Sequence, residues 1–336
     1  MNLRHSEVNL DDVARSAGVS TATVSRVVNR KGYVSEATRS KVERVIRDLG
    51  YQQNQLASSL MTKRSNLVAL ILDNIANPFY PQLALGLEAT AEKNGFNVIL
   101  CNIESDLEKE KQYVCNLLGR QVDGIIFVAS RAPEYVYQNE IKIKVPVVRL
   151  DRDIHVPNCD GVILDQLWGS YNITKHLIEK GYKRIAHISG PKGYYTARER
   201  MEGYSKALFD YHYRIVQRLV IEGDYSIESG KHAMTTLLKL TSRPDAVFAA
   251  NDLMAFGAID VIKRSGLQVP NDIAVAGFDD IPFAALYTPS LTTVSQPTYQ
   301  MGSLAMQMLI ERISGNISLE AREIILQPSI TVREST

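Results

Sequence analysis

The stretch NLDDVARSAGVSTATVSRVVNRK, residues 9–31, decides the fold of the N-terminal part of the chain. Asn9 is a good N-cap, because its side chain can accept hydrogen bonds from the backbone N–H groups that a first helical turn leaves unpaired. Gly18 permits the left-handed backbone of a tight reversal. The apolar residues between them recur at the i, i+3, i+4, i+7 spacing of one helix face. They are Leu10, Val13, Ala14 and Ala17, and they predict one short helix with a buried stripe.

A second and a third short helix are predicted after this reversal. Ser20 can cap the second helix, and Ser35 can cap a third that runs to Leu49 and stops at Gly50. The apolar residues of both helices fall on one side each, so the three helices are expected to share one small core. These residues are Val24, Val27 and Val28 in the second helix and Val42, Val45, Ile46 and Leu49 in the third. The outer face of the second helix is Thr21, Ala22, Ser25, Arg26 and Asn29.

The distribution of charge favours a nucleic-acid-binding role for this helical segment over a helical hairpin that only packs. Residues 1–66 hold 11 Lys and Arg against 6 Asp and Glu, whereas residues 67–336 hold 27 against 31. The positive charge is therefore concentrated where the three helices lie, as attraction to phosphates requires.

The composition is that of an ordinary globular protein with more than one domain. At 336 residues and 45% hydrophobic content, the chain is long enough for two or three compact units. It has no apolar run of membrane-spanning length, and its first residues are polar, so neither a membrane span nor a secretory signal is predicted. A cytoplasmic protein is expected.

Motifs of catalysis and metal binding are absent from the sequence. There is no phosphate loop, dinucleotide fingerprint, nucleophile elbow or HExxH motif. Cys101, Cys115 and Cys159 lack metal-ligand spacing and are expected to be reduced and structural. Asp279 and Asp280 are adjacent in sequence, so their side chains are expected to point apart instead of sharing a proton. We therefore predict no cofactor, no metal and no enzymatic activity.

The remainder of the chain alternates β-branched runs with helical stretches, which predicts a parallel α/β architecture. Ligands of such sheets bind beyond the carboxyl ends of the strands, where polar residues accumulate here, although the same residues also favour helix caps. The predicted strands are 67–73, 97–102, 124–129, 145–151, 161–165, 184–190, 246–252 and 274–280. The strand-end residues are Asp73, Asn74, Asn102, Asp151, Gly190, Asn251, Asp252, Asp279 and Asp280.

The order of several motifs resembles the LacI/GalR family of bacterial repressors over nearly the full length. These motifs are DDVARSAGVSTATVSRVVN, VSEATRSKV, RDLGY, a short linker and NPFY after a strand. The resemblance implies an all-α helix-turn-helix headpiece in residues 1–52, a hinge in 53–66 and a two-lobed domain in 67–336 like periplasmic sugar-binding proteins, with parallel sheets. The N-lobe is placed at about 67–165 and 296–326 and the C-lobe at about 166–295 and 327–336, with crossings near Asp165, Gln296 and Gln327.

The same resemblance assigns the DNA contacts. Thr21, Ala22 and Arg26 are expected at base edges, and Ser20, Ser25 and Asn29 nearer phosphates. Residues 55–61 are expected to fold as a hinge helix on DNA, with Leu60 wedged into the minor groove at the central base step. Gln53 stands where the family often has proline, and Ser58 or Ser59 where it often has arginine. From composition alone, residues 51–66 are instead a flexible tether.

The resemblance also assigns the ligand contacts of the cleft. Arg200 is expected to orient a ligand by forked hydrogen bonds, although an exposed charge at a helix start is the plainer interpretation. Tyr194 and Tyr195 could stack on a sugar face or cover the cleft mouth, and Trp168 is assigned to packing. The remaining expected effector contacts are Asn77, Phe79, Asp151, Asn251 and Asp279.

These expectations describe a homodimeric repressor that binds palindromic double-stranded operator DNA in the nucleoid. A tetramer stays open, as do the choice of a sugar, sugar acid or purine effector, and the choice of inducer or corepressor. Response to a phosphoprotein partner also remains open. A solute-binding carrier would lack the basic helical head, and a sugar-modifying enzyme would need a base or nucleophile in the cleft.

Overall fold

A computed structural model describes residues 8–28, 32–51, 64–128, 141–151, 159–315 and 320–336. The chain divides into two compact units, Met1–Ser65 and Asn66–Thr336. Within the described ranges no helix is both long and apolar enough to cross a bilayer. The predicted hinge helix with Leu60, the departures at Gln53, Ser58 and Ser59, and the predicted contact Asn29 lie outside the described residues.

The first unit contains the predicted three helices, α1 (Leu10–Ala17), α2 (Thr21–Val28) and α3 (Glu36–Leu49). The Asn9 side chain accepts from the backbone N–H groups of Asp11 and Asp12 at 2.9 and 3.0 Å, and the Asp12 carboxylate accepts from the Asn9 N–H at 3.1 Å. This capping box fixes the start of α1. Gly18 ends α1 with a φ of 60°, the left-handed conformation predicted for it.

The core of this unit follows the predicted apolar stripes with small corrections. Its buried residues are Val13, Ala14, Ala17, Val24, Val27 and Val42, while Leu10, Val28, Val45 and Ile46 pack against them half-buried. Leu49, which the pattern placed on the same side of α3, is 36% exposed. It is the last residue of α3, where the small three-helix core no longer covers it.

The second unit contains two six-stranded sheets. The first has the order β11-β5-β4-β3-β1-β2 and is wholly parallel, and the second has the order β12-β10-β9-β8-β6-β7, in which only β12 is antiparallel to its neighbour. The strands are β1 (Leu67–Leu72), β2 (Asn97–Asn102), β3 (Gly124–Val128), β4 (Val147–Leu150), β5 (Asp160–Leu164), β6 (Ile185–Ser189), β7 (Val220–Glu222), β8 (Ala246–Ala249), β9 (Ala274–Asp279), β10 (Thr292–Ser295), β11 (Glu323–Leu326) and β12 (Ser329–Thr331).

Seven described helices accompany these sheets: α4 (Phe79–Lys93), α5 (Leu107–Gly119), α6 (Gln166–Glu179), α7 (Tyr195–Asp210), α8 (Ile227–Leu238), α9 (Asp252–Arg264) and α10 (Thr298–Ser314). Two short 3₁₀ turns lie at Gln217–Leu219 and Pro282–Ala284. Helix α10 packs tightly against α4, since a Cβ on Gly302 would lie only 2.0 Å from the carbonyl oxygen of Leu83. We call the first sheet with α4, α5 and α10 the N-lobe, and the second sheet with α6 to α9 the C-lobe.

The chain passes between the two lobes three times. It leaves β5 of the N-lobe and enters α6 of the C-lobe through Asp165, and it leaves β10 and enters α10 through Gln296 and Pro297. It passes back between β11 and β12 through Gln327 and Pro328. Each lobe is therefore built from segments that are distant in sequence.

Candidate functional site

The cavity between the lobes lies at the carboxyl ends of the parallel strands. Its volume is about 40 Å³, room for roughly three water molecules. All seven residues predicted to contact a ligand line it: Asn77, Phe79, Asp151, Tyr194, Arg200, Asn251 and Asp279. Tyr80, Val128, Thr196 and Tyr225 complete the lining. The two lobes thus bring residues that are up to about 200 positions apart in sequence into one small space.

Arg200 is the charged centre of this cavity. Its side chain is 5% exposed, so the alternative of an exposed helix-start charge is wrong. The Nε atom donates to Oε1 of Gln166 at 2.8 Å, and Nη1 donates to the backbone carbonyl of Ala250. The guanidinium carbon lies 3.8 Å from the ring centre of Phe278. These contacts hold the guanidinium plane in one orientation, with the carboxylate of Asp279 at 3.6 Å.

Two buried carboxyl groups face this guanidinium from different lobes. Asp151 follows β4 and accepts from the backbone N–H of Leu164 at 2.7 Å and from Nε2 of Gln166 at 2.8 Å. Asp279 ends β9 and accepts from Nε2 of Gln296 at 2.7 Å. The sequence does not predict either amide as a site residue, because an isolated glutamine gives no signal that distinguishes it from a surface residue; Gln296 is predicted only as a crossing between the lobes.

Burial shifts the titration of these carboxyl groups. It raises the pKa of Asp151 to about 6 and that of Asp279 to about 7, although Arg200 favours the ionised form of both. Asp252 lies behind them and accepts from the Thr293 hydroxyl and the Ile281 N–H. Burial, followed by the charge of Asp279, raises the pKa of Asp252 well above its usual range. Because burial disfavours the charged form of all three carboxyl groups, protons remain in the cluster near neutral pH.

We expect the stability of the second unit to fall as the pH rises through 7. The folded protein keeps the proton of Asp279 up to about pH 7, whereas the unfolded chain releases it near 3.8. The folded state therefore binds more protons in this interval, and the free energy of unfolding decreases as the proton is lost. Asp279→Asn removes this titration, so its stability measured by urea denaturation should change less between about pH 6 and pH 8. Asp210→Asn, at the surface, should keep the wild-type slope, and an unchanged slope in Asp279→Asn would contradict the assignment.

Aromatic side chains form the walls of the cavity. The rings of Tyr194 and Tyr225 meet edge to face with centres 6.0 Å apart, and those of Phe79 and Tyr80 do so at 5.2 Å. Tyr225 was missed in the sequence, because the short strand β7 before its loop was not predicted. Tyr195 is half-buried outside the cavity lining, beneath the Arg198 side chain. Trp168, for which the sequence predicts a packing role, is 39% exposed near the start of α6 and does not line the cavity.

Some strand-end residues serve the local backbone instead. Asn251 combines both roles, since it caps α9 by accepting from the Met254 N–H at 3.0 Å and also lines the cavity. Asn102 accepts from the Ile75 N–H, and Asp280 pairs with Arg333 at 2.7 Å. Six of the nine predicted strand-end residues do not line the cavity: Asp73, Asn74, Asn102, Gly190, Asp252 and Asp280. The turn and cap interpretation therefore holds for part of the predicted set.

A separate polar face lies on α2 of the first unit. Ser20, Thr21, Ala22 and Arg26 are exposed, and Ser25 is half-buried. The Oγ of Ser20 accepts from the Thr23 N–H at 3.2 Å, as expected of a helix cap. The opposite side of α2 contributes Val24 and Val27 to the core. The described part of the predicted outer face is thus exposed at Thr21, Ala22 and Arg26 and half-buried at Ser25.

Each of the two units matches a known protein family. Residues 9–54 match a family model described as bacterial regulatory proteins, lacI family, and residues 174–336 match one described as a periplasmic binding protein-like domain. The ribose operon repressor of Halalkalibacterium halodurans is 37% identical over 325 residues, which cover 97% of this chain and 96% of that protein. The chain belongs to the LacI family of bacterial regulators.

Two solved structures show how far the likeness to this regulator extends. The lac repressor dimer bound to operator and the anti-inducer ONPF has a TM-score of 0.87 and 32% identity, covering 98% of each chain. The transcriptional regulator CelR in complex with cellobiose has a TM-score of 0.76 and 35% identity, covering 98% of this chain and 100% of that one. The predicted fold class, a helix-turn-helix headpiece with a two-lobed α/β domain, is confirmed. The regulator is a DNA-binding transcription factor and not an enzyme, as its named relatives are repressors.

Proposed function

We propose that this regulator is a homodimeric repressor whose affinity for a palindromic operator is controlled by a sugar bound between the lobes. This proposal rests mainly on one observation. Seven polar and aromatic residues that the sequence analysis predicts as ligand contacts all line one cavity between the lobes. They include carboxylates and amides that accept from or donate to hydroxyl groups, and a guanidinium held in a fixed plane. Their contribution from both lobes links ligand binding to the arrangement of the lobes.

The charges of the cavity favour an uncharged sugar over a sugar acid. In the described lining, the buried carboxyl groups of Asp151 and Asp279 face the guanidinium of Arg200. An anionic ligand would add a further negative charge to this buried cluster, which already retains protons. Hydroxyl groups, in contrast, can donate to these carboxylates. The aromatic rings of Phe79 and Tyr225 offer apolar faces to a sugar ring. The solved complex of the similar regulator CelR with cellobiose supports the same class.

The outer face of α2 is the proposed reading surface for DNA. We propose that Thr21, Ala22 and Arg26 meet base edges in the major groove, and that Ser20 and Ser25 contact phosphates. Asn29 and Leu60 complete the proposed set on the basis of the family pattern. In a two-fold dimer two such helices would read the half-sites of one palindrome.

An exposed apolar surface supports the dimer. Ile227, Phe283 and Leu286 of the C-lobe are 40, 55 and 78% exposed, and exposed apolar patches of this kind mark interaction surfaces. The first two also line a hollow of about 980 Å³ that both lobes form and that shares Asn77, Tyr80 and Tyr225 with the small cavity. We propose that a second copy of the chain covers the three exposed apolar side chains. The regulator is placed in the cytoplasm, at the nucleoid, where operator DNA lies.

Coupling between cleft and headpiece would act through the closure of the lobes. A ligand that favours one degree of closure changes how the two subunits meet, and so whether the paired hinge segments fold on the operator. The coupling is reciprocal: operator changes the affinity for ligand by the same factor as ligand changes the affinity for operator. A shift of about 1–3 kcal/mol is enough for regulation of roughly 5- to 150-fold.

A thermal-shift screen tests the proposed ligand class. Purified full-length protein is heated with neutral pentoses, hexoses and disaccharides, with sugar acids, and with purines. A neutral sugar at about 100 times its Kd should raise the melting temperature of the second unit by roughly 5–10 °C, because it binds only the folded state. Asp151→Asn, which alters the floor of the cavity, should reduce the shift. A shift with sugar acids or purines alone, or with none of the three classes, would contradict the proposal.

A further inference from the structure

Tyr194 joins the two lobes at the mouth of the cleft. It belongs to the C-lobe and immediately precedes α7, yet its hydroxyl donates to Oδ2 of Asp73 in the N-lobe at 3.0 Å. The same hydroxyl lies 2.7 Å from Oγ of Ser105, also in the N-lobe. These two contacts span 121 and 89 positions in sequence. They connect the lobes directly, away from the three passages of the chain.

Hydrogen bonds within the N-lobe hold Asp73 and Ser105 in place without any contribution from Tyr194. Oδ1 of Asp73 accepts from the backbone N–H of Ser105 at 2.6 Å and from its hydroxyl at 2.9 Å. The backbone carbonyl of Asp73 accepts from the Glu104 N–H at 2.7 Å. Glu104 and Ser105 both have positive φ angles, of 56° and 59°, a conformation that side chains other than glycine rarely adopt. The carboxylate of Asp73 thus holds this turn in the shape that presents the Ser105 hydroxyl.

The C-lobe side holds the tyrosine ring in place. Tyr194 is 4% exposed, and its ring meets that of Tyr225 edge to face. The hydroxyl of Tyr225 lies in turn 3.1 Å from Oγ1 of Thr196. The Tyr194 ring is packed in the C-lobe, and its hydroxyl is bonded to the N-lobe. The lobes therefore cannot separate without breaking the bonds of this hydroxyl or moving the ring.

The cavity beside this contact is too small to hold a small-molecule ligand while the lobes stay in this arrangement. A space of about 40 Å³ is far below the roughly 300 Å³ at which small-molecule sites begin. A ligand of sugar size therefore fits among the residues of this cavity only when the lobes part. We propose that Tyr194, Asp73 and Ser105 form an interlobe clasp, which breaks each time the cleft opens and so sets how often a ligand can enter or leave. The nature of that ligand rests on the proposed function, whereas the opening itself does not.

Hydrogen–deuterium exchange of the full-length protein without added ligand tests the clasp. The reporter is the backbone N–H of Leu164, which is bonded to the buried carboxylate of Asp151 in the cleft. Tyr194→Phe keeps the ring and removes the hydroxyl, so exchange at this reporter should accelerate about tenfold. Ser105→Ala should accelerate it in the same direction. The double variant should exchange no faster than Tyr194→Phe, because one broken clasp already frees the lobes.

A neighbouring tyrosine and the core of the C-lobe provide the controls. Tyr195→Phe removes a hydroxyl one position away that is outside the clasp, and it should leave exchange at Leu164 unchanged. Strands β8 and β9 should keep their protection in all variants. An unaltered rate in Tyr194→Phe, an equal acceleration in Tyr195→Phe, or equal acceleration in β8 and β9 would overturn the clasp. Since no sugar is present, failure of the proposed ligand class does not affect these outcomes.

Discussion

Arg26→Ala is expected to lower the affinity for the specific operator by roughly 5- to 150-fold, the range of a lost bidentate contact to guanine. Arg26 is exposed on α2 and lies on the side opposite the buried Val24 and Val27. Affinity for random duplex should fall much less, since it depends on the total phosphate attraction of the headpiece. The operator is first selected from a pool of random duplexes, and both affinities are then measured by fluorescence anisotropy at one salt concentration.

Arg15→Ala is the matched control for this experiment. Arg15 is an exposed arginine of the same unit, but it lies on α1 and pairs with Asp12 at 3.4 Å. Its removal takes away one positive charge without touching the proposed reading face, so both affinities should fall slightly and by similar factors. Equal losses on operator and random duplex in Arg26→Ala would show that this side chain contacts phosphates instead of bases.

Arg200→Met is expected to lower the free energy of unfolding of the second unit by about 3–5 kcal/mol at a pH near 8, the usual cost of removing one partner of a buried ion pair. The substitution leaves the buried carboxyl groups of Asp151 and Asp279 without the guanidinium that faces them. The loss should be smaller near pH 5.5, because Asp279, with its pKa of about 7, and Asp151, with its pKa of about 6, then hold protons in the wild type as well. Urea denaturation at both pH values measures the difference.

Arg198→Met is the control for this experiment, because it removes a different arginine of α7 that lies at the surface. The Arg198 side chain is 59% exposed and pairs with its neighbour Glu199 at 3.5 Å. Removal of such a surface charge changes stability by about 0.5 kcal/mol or less. A loss in Arg200→Met that is equally large at both pH values would mean that packing on Phe278, and not charge compensation, is the main role of Arg200.

The elements predicted correctly are those whose sequence patterns reflect their own burial. Each of the eight predicted strands overlaps an observed strand. Strands such as β1, β3 and β8 are runs of apolar residues that are buried on both faces, and this pattern is visible in the sequence. Helices α1 and α3 begin and end within one residue of their predicted bounds, and α2 begins directly after its predicted cap. There the local signals, a capping side chain and a terminating glycine, act within a few residues and so can be read directly.

The elements that were missed depend on pairing with distant segments. Strands β7, β10, β11 and β12 have three or four residues each, and β7, β11 and β12 are buried only in part. Strand β11 exists because Glu323 to Leu326 pair with Gly161 to Leu164, about 160 positions earlier. No short window of the sequence contains that partner, so the pattern alone cannot distinguish these strands from loops.

The cavity was predictable where strand ends determine it. Asp151, Asn251 and Asp279 follow directly from the rule that ligands bind beyond the carboxyl ends of parallel strands, and all three line the cavity. Arg200, Asn77 and Phe79 needed the resemblance to a family, since nothing in their local sequence indicates a cleft. Gln166 and Gln296 were not found by either route. They orient charged groups through contacts that only the folded chain creates.

Because the chain passes between the lobes three times, loss of its last residues would affect both lobes. The last fourteen residues contribute both β11, at the edge of one sheet, and β12, at the edge of the other. Ser335 is fully buried and bonds to the backbone of Val275 and Thr292. A stop codon placed just upstream of β11 would therefore damage both halves of the sensor together. Neither half can be excised as one uninterrupted gene fragment, so recombination can exchange the headpiece far more readily than a single lobe.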